Sequence, residues 1–191
     1  MRERVFNLPN VISMLRLAAV PVVAWLILQG RWEPACWLFL AAAVSDGIDG
    51  LLARWLNQMT RLGAALDTVA DKALGVVTLV LLTLVGVIPL WLTLTILLRD
   101  SIIVLGALSY RGMAGHLEIH PTWLGKTHMF AEFVLLALVL ADLARLINID
   151  AWLTPLFGVV FFIAVVSGVQ YVWIWSAKAR HERALQRSKP H

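Results

Sequence analysis

Four aspartates carry the chemistry this chain is equipped to do. Asp46 and Asp49 are three residues apart, and Asp67 and Asp71 are four apart. In a helix, both spacings place the pair on one face. Each acid lies in or at the end of a long apolar stretch, where an ionised carboxylate costs about 2.5–3.5 kcal/mol at mid-helix on insertion scales. Purely structural polars are a poor account of four such residues. Gathered together, four carboxylates repel one another unless some are protonated or cations neutralise them. An all-oxygen donor set suits hard divalent ions such as Mg²⁺, Mn²⁺ or Ca²⁺, and does not suit a structural zinc. Mg²⁺ commonly combines carboxylates with substrate phosphates, so a phosphate-bearing ligand is expected.

The elements that must position these acids follow from composition. The chain has 191 residues, of which 60% are hydrophobic and 15% charged. Its mean hydropathy is +0.81. Ordinary soluble domains are about 45–50% apolar and about 25% charged. A soluble enzyme, a secreted disulfide module and a disordered tail are all excluded. The single Cys36 permits no internal disulfide and reads as a small apolar filler. We expect an all-α polytopic membrane protein, one domain over 1–191, with six transmembrane helices near 11–29, 35–54, 64–86, 89–110, 123–146 and 153–175. A barrel does not fit, because runs such as Gly75 to Ile88 are continuously apolar without period-2 alternation. A short interfacial helix is expected within about residues 1–10, broken by Asn7-Leu8-Pro9-Asn10, with Asn10 capping the first span. Residues 176–191 read as a basic cytoplasmic tail. A cleaved signal peptide does not fit, since the apolar run is long and carries Arg16.

Charge sets the orientation. With six spans, Arg2, Arg4, Arg54, Arg61, Arg111, Lys126, Lys178, Arg180, Arg183, Arg187 and Lys189 share one side, against Arg31 and Arg145 on the other. The positive-inside rule then puts both termini in the cytoplasm. The second and third spans are joined by the short segment 55–62, so they form an antiparallel hairpin. At about 1.5 Å per residue, Asp46 and Asp71 each sit roughly 12 Å from their helix ends. Asp49 and Asp67 match at a shallower level. Gly50, Ala53 and Gly63 lie near the same acids and would let a ligand approach the backbone, although small residues also serve helix packing.

Read together, the segment is Asp46-x-x-Asp49-Gly50-x-x-Ala53-Arg54, eight residues, Gly63-x-x-x-Asp67-x-x-x-Asp71. It resembles the signature of the CDP-alcohol phosphatidyltransferases at all eight defining positions, and the six-span pattern extends the resemblance over nearly the whole chain. The resemblance implies an integral membrane enzyme that uses a CDP-linked lipid and releases CMP. It implies that Asp46, Asp49 and Asp67 bind divalent metal, Mg²⁺ or Mn²⁺. Asp71 would also lie at the metal site and act as the base. Asp46, Gly50, Ala53, Arg54 and Gly63 would shape the nucleotide site. A homodimer and a bacterial inner-membrane location are further expectations of the same kind.

The acceptor is read from weaker signals. Pro9-Asn10-x-x-Ser13-x-x-Arg16 is similar to the start of the branch that makes phosphatidylglycerol phosphate and cardiolipin. Ile88-Pro89-x-x-Leu92-Thr93, Arg99-Asp100 and Pro121-Thr122-x-x-x-Lys126 resemble the CMP-forming cardiolipin synthases. The chain departs from both branches at Thr68, where proline commonly stands, and at Thr127-His128-Met129 after Lys126. Either acceptor brings phosphate, so Arg16, Arg99, Arg111 and Lys126 are candidate acceptor-phosphate ligands. Arg99 and Asp100 have an equally simple reading as partners inside the fold. Lys72 points about 100° away from Asp71 and reads as a packing or interfacial charge. His116 and His120 have i, i+4 spacing but sit in a connector, so a metal role is disfavoured. Trp123, Trp152, Trp173 and Trp175 suit the bilayer interface. Asp142 is expected to pair with Arg145, and Glu132 has no evident role.

The expected reaction is phosphatidyl transfer from CDP-diacylglycerol to phosphatidylglycerol, making cardiolipin, with glycerol 3-phosphate as the alternative acceptor. Two other classes compete: a cation transporter using the same carboxylates, and a non-catalytic scaffold. The transporter reading requires neither Arg54 nor the small residues, and it lacks evident repeat-related halves. The scaffold leaves the aspartates unexplained. No nucleic-acid partner is expected.

Overall fold

The computed structural model describes the backbone of residues 8–55, 61–114 and 122–187, and the side chains of 11–45, 67–106 and 122–176. These residues form six helices: α1 (Leu8–Leu28), α2 (Trp32–Trp55), α3 (Arg61–Leu84), α4 (Leu90–Ala114), α5 (Trp123–Leu143) and α6 (Asp150–Arg187). No strand occurs among the described residues. The expected interfacial segment at the N-terminus, the His116–His120 connector and the last four residues lie outside them. Among the described residues, α1, α5 and α6 contain stretches long and apolar enough to cross a membrane, at Val11–Leu28, Trp123–Leu143 and Asp150–Ser176. Large apolar side chains such as Leu15, Leu84, Leu105, Phe130, Phe162 and Val169 are exposed. Apolar surface on this scale suits lipid rather than water.

One expectation about a helix end is corrected. Asn10 lies inside α1, which already includes Leu8 and Pro9. Proline is tolerated in a first turn, because the N–H it lacks has no helical partner there. The basic segment from residue 176 is helical as far as Arg187, so α6 runs over 38 residues. At 1.5 Å per residue that is about 57 Å, well beyond a hydrocarbon core of about 30 Å. The charges after Trp175 mark where the apolar run ends. Ala, Lys, Arg, Glu, Gln and Leu all have good helix propensity, which suits the continued helix.

The chain packs as two compact units. One comprises Met1–Pro89 with Glu132–Leu153; the other comprises Leu90–Ala131 with Thr154–His191. In the first unit, α1 packs against both α2 and α3. Its buried residues Val20, Val23 and Ile27 recur at helical spacing, as do Ala35, Phe39 and Ala42 of α2, and Ala70 and Leu74 of α3. Phe39 stacks on Phe133, with ring centroids 5.7 Å apart. In the second unit, Trp91 of α4 meets Phe161 of α6 edge-on, 5.3 Å between centroids.

Three helices stop in the same way. At the end of α1, the Arg31 N–H donates to the Leu26 carbonyl and the Gly30 N–H to Ile27. The pattern repeats after α3, with Val87 to Leu82 and Gly86 to Thr83, and after α5, with Leu146 to Ala141 and Arg145 to Asp142. These are Schellman ends, which need a left-handed residue. Gly30 (φ 66°) and Gly86 (φ 85°) supply it without a Cβ penalty, whereas Arg145 (φ 59°) bears one. The carboxylate of Asp142 accepts from the Ile149 N–H at 2.8 Å and pins the following loop. That carboxylate is turned to the Ile149 N–H, and the expected ion pair with Arg145 is not formed.

Candidate active site

The site grows from the contact of α1 with α3. Asp67 and Asp71 are one turn apart on α3, and both point at the same cation from α1. Arg16 donates from Nη1 to Asp67 Oδ1 at 2.9 Å and to Asp71 Oδ1 at 2.6 Å. Its Nε donates to the backbone carbonyl of Ala42 on α2 at 3.2 Å. Ser13, one turn before Arg16, donates from Oγ to Asp67 Oδ1 at 3.2 Å. The Arg16 side chain is fully buried, Asp71 nearly so, and Asp67 is about one-third exposed (36%). The carboxylate pair is therefore reachable from its Asp67 side and closed behind by a guanidinium.

Ala42 lies one turn before Asp46, so Arg16 also touches the stretch of α2 that leads into the rest of the motif. Asp46, Asp49, Gly50, Ala53 and Arg54 fall in the last turns of α2, and Gly63 falls in the first turn of α3. Their side chains lie outside the described residues. The described half of the donor set is carboxylate oxygen already engaged with a cation. That chemistry fits a hard divalent ion of the Mg²⁺ or Mn²⁺ kind.

The other expected phosphate ligands belong to the second unit. Arg99 is buried on α4; its Nη1 donates to Asp100 Oδ1 at 2.7 Å and its Nη2 to Ser167 Oγ of α6 at 2.8 Å. Its guanidinium lies over the Tyr171 ring, 5.7 Å from the centroid. Arg99 thus ties α4 to α6. Lys126 places its Nζ 5.9 Å from the Trp123 ring centroid. Arg111 falls near the end of α4, with its side chain outside the described residues.

Ser13 and Glu132 carry no site role in the sequence reading. Ser13 shares a helix face with Arg16 at i, i+3, a spacing visible in the chain, but its partner Asp67 is 54 residues away. Glu132, buried on α5, brings Oε1 against Gly75, one turn beyond Asp71 on α3. No local pattern announces that approach.

Fold and site together define an all-helical membrane protein that carries a buried carboxylate–guanidinium centre. The chain belongs to the CDP-alcohol phosphatidyltransferase family, whose profile matches residues 6–175 and so runs through both units. It is 45% identical over 107 residues to a protein of Streptomyces coelicolor named "Cardiolipin synthase (CMP-forming)", covering 53% of this chain and 50% of the relative. It is 35% identical over 136 residues to "Putative cardiolipin synthase" of Mycobacterium tuberculosis, covering 70% of this chain and 64% of that one. It is 32% identical over 179 residues to "Probable phosphatidylglycerophosphate synthase" of the same organism, covering 90% and 82%. The chain thus spans between half and two-thirds of the length of these cardiolipin-synthase relatives.

Proposed function

We propose that this chain transfers a phosphatidyl group from CDP-diacylglycerol to the glycerol hydroxyl of phosphatidylglycerol, forming cardiolipin and CMP. The observation that carries the reading is the convergence of Asp67 and Asp71 on one buried cation, within a family match over residues 6–175. Asp46, Asp49, Asp67 and Asp71 would hold Mg²⁺ or Mn²⁺. A bound ion of that kind supplies neutralisation of the diphosphate and of the charge that develops on the leaving group. Asp71 accepts the proton of the acceptor hydroxyl through a hydrogen bond. The hydroxyl oxygen forms a bond to the phosphorus that bears diacylglycerol. The bond from that phosphorus to the bridging oxygen breaks, and CMP departs with the electron pair. Gly50, Ala53, Arg54 and Gly63 shape the cytidine diphosphate site. Arg111 and Lys126 meet the acceptor phosphate; Arg99 is engaged by Asp100 and Ser167.

We place six spans in a bacterial inner membrane, with both termini and the site on the cytoplasmic side and two copies forming a homodimer. The whole chain acts as one catalytic domain. The second reading, glycerol 3-phosphate as acceptor, is favoured by the phosphatidylglycerophosphate synthase relative, which aligns with 90% of this chain. Cation transport has no support from the family match. The deciding experiment supplies purified full-length protein with labelled CDP-diacylglycerol, Mg²⁺ or Mn²⁺, and each acceptor separately. Cardiolipin and CMP are expected with phosphatidylglycerol. Product with glycerol 3-phosphate alone moves the assignment to the second reading, and absence of CMP with both acceptors overturns both.

A further inference from the structure

Arg16 carries the expectation of binding the acceptor phosphate, yet its Nε and Nη1 donors are engaged by described groups of the protein. Both Nη1 contacts go to aspartate oxygens and Nε goes to the Ala42 carbonyl. The guanidinium is planar and its N–H directions are fixed, so these three bonds on two other helices determine its orientation. Swinging toward a substrate would break these bonds and leave two carboxylates facing each other. The side chain is fully buried, which leaves no surface for an incoming phosphate.

Removing that cation would have a direct consequence for the acids. Asp67 and Asp71 sit one turn apart, where ionised carboxylates repel. Arg16 offsets that repulsion and aims both Oδ1 atoms at one point. Ser13 adds a second donor to Asp67 Oδ1. A carboxylate has two oxygens and about four acceptor sites, so it can hold a guanidinium and an ion at the same time. Partners of this kind orient metal-binding carboxylates, and their loss commonly costs about 10–100-fold in metal affinity.

We infer that Arg16 is a positioning residue: it holds Asp67 and Asp71 in the geometry that an ion and an acceptor hydroxyl require, and it does not bind the acceptor phosphate. The inference rests on the function proposed above for what those two carboxylates do. Its test uses full-length protein in nanodiscs of phosphatidylcholine, with Mn²⁺ titrated in and free Mn²⁺ followed by electron paramagnetic resonance. Wild type, Arg16→Lys and Ser13→Ala are compared, and kcat and the acceptor KM are measured on the same samples. Lysine keeps the charge but cannot reproduce the fork. We expect Arg16→Lys to bind Mn²⁺ about tenfold or more weakly, with kcat lowered and the acceptor KM unchanged. Ser13→Ala is expected to shift Mn²⁺ affinity in the same direction by less. Unchanged Mn²⁺ affinity in Arg16→Lys overturns the inference, and a raised acceptor KM with that affinity intact makes Arg16 a substrate ligand instead. If Arg16→Lys is not monodisperse, Ser13→Ala decides: weakened Mn²⁺ binding supports the positioning role, and wild-type binding overturns it. Failure of wild type itself to bind Mn²⁺ refutes the ion-site reading, a result separable from any effect of the substitutions.

Discussion

At the scale of single residues, Asp71 and Asp67 divide by exposure. Asp71 is nearly buried beside Arg16, whereas Asp67 opens to its surroundings. A base that must take a proton from a lipid hydroxyl benefits from a site that excludes water, and an ion must be able to enter. Asp71→Asn keeps the shape and can still hydrogen-bond, but it cannot accept the proton. Its turnover is expected to fall by about 10²-fold or more, while CDP-diacylglycerol still binds. Single-turnover assays with a parallel lipid-binding measurement check this, and near-normal activity would remove Asp71 from the role of base. The pairing of these two acids was legible from their i, i+4 spacing alone, since the helix period dictates it. Their shared partner was not, because Arg16 is 55 residues from Asp71 in the chain.

At the scale of elements, the described helices follow the apolar runs, since a backbone in lipid must satisfy its hydrogen bonds internally. Their ends were less legible. The third run was expected to reach residue 86, but α3 ends at Leu84 before the left-handed Gly86. Arg145 gave no signal at all, because a non-glycine residue seldom adopts φ near 59°. The run expected as 123–146 therefore closes earlier, at Leu143. The approach of α4 to α6 in the second unit depends on a missing side chain. A Cβ at Gly106 would lie 2.8 Å from Trp175 Cδ1 and 2.9 Å from Nε1. Gly106→Ala is expected to force the indole aside and cost about 1–3 kcal/mol. A lowered Tm in detergent checks it, and an unchanged or raised Tm would show that the indole relaxes freely. Gly158→Ala makes a suitable control, since nothing lies within 4 Å of a Cβ there.

At the scale of the whole molecule, the proposed topology makes a test independent of activity. An even number of spans and the bias of basic residues would put both termini on the cytoplasmic side. Cys36, the single cysteine, is fully buried, so an introduced thiol can be read almost without background. A cysteine replacing Ser188 is expected to react with an impermeant maleimide only after inverted vesicles expose the cytoplasmic face. Labelling from the outer face of intact cells would require an odd number of spans or the opposite orientation. Composition alone determined that the chain is a membrane protein, because 60% apolar residues exceed what a soluble fold of this length can bury. Helical periodicity likewise determined that the aspartates fall in pairs, since it is a property of the local backbone. Only the tertiary structure decided that a buried arginine from α1 binds the α3 pair, that Ser13 joins it, and that Arg99 is occupied by Asp100, Ser167 and Tyr171. The contacts of Arg16, Ser13, Ser167 and Tyr171 join residues dozens of positions apart. They depend on how helices rotate and slide against one another, and the spacing of residues within one helix does not set that.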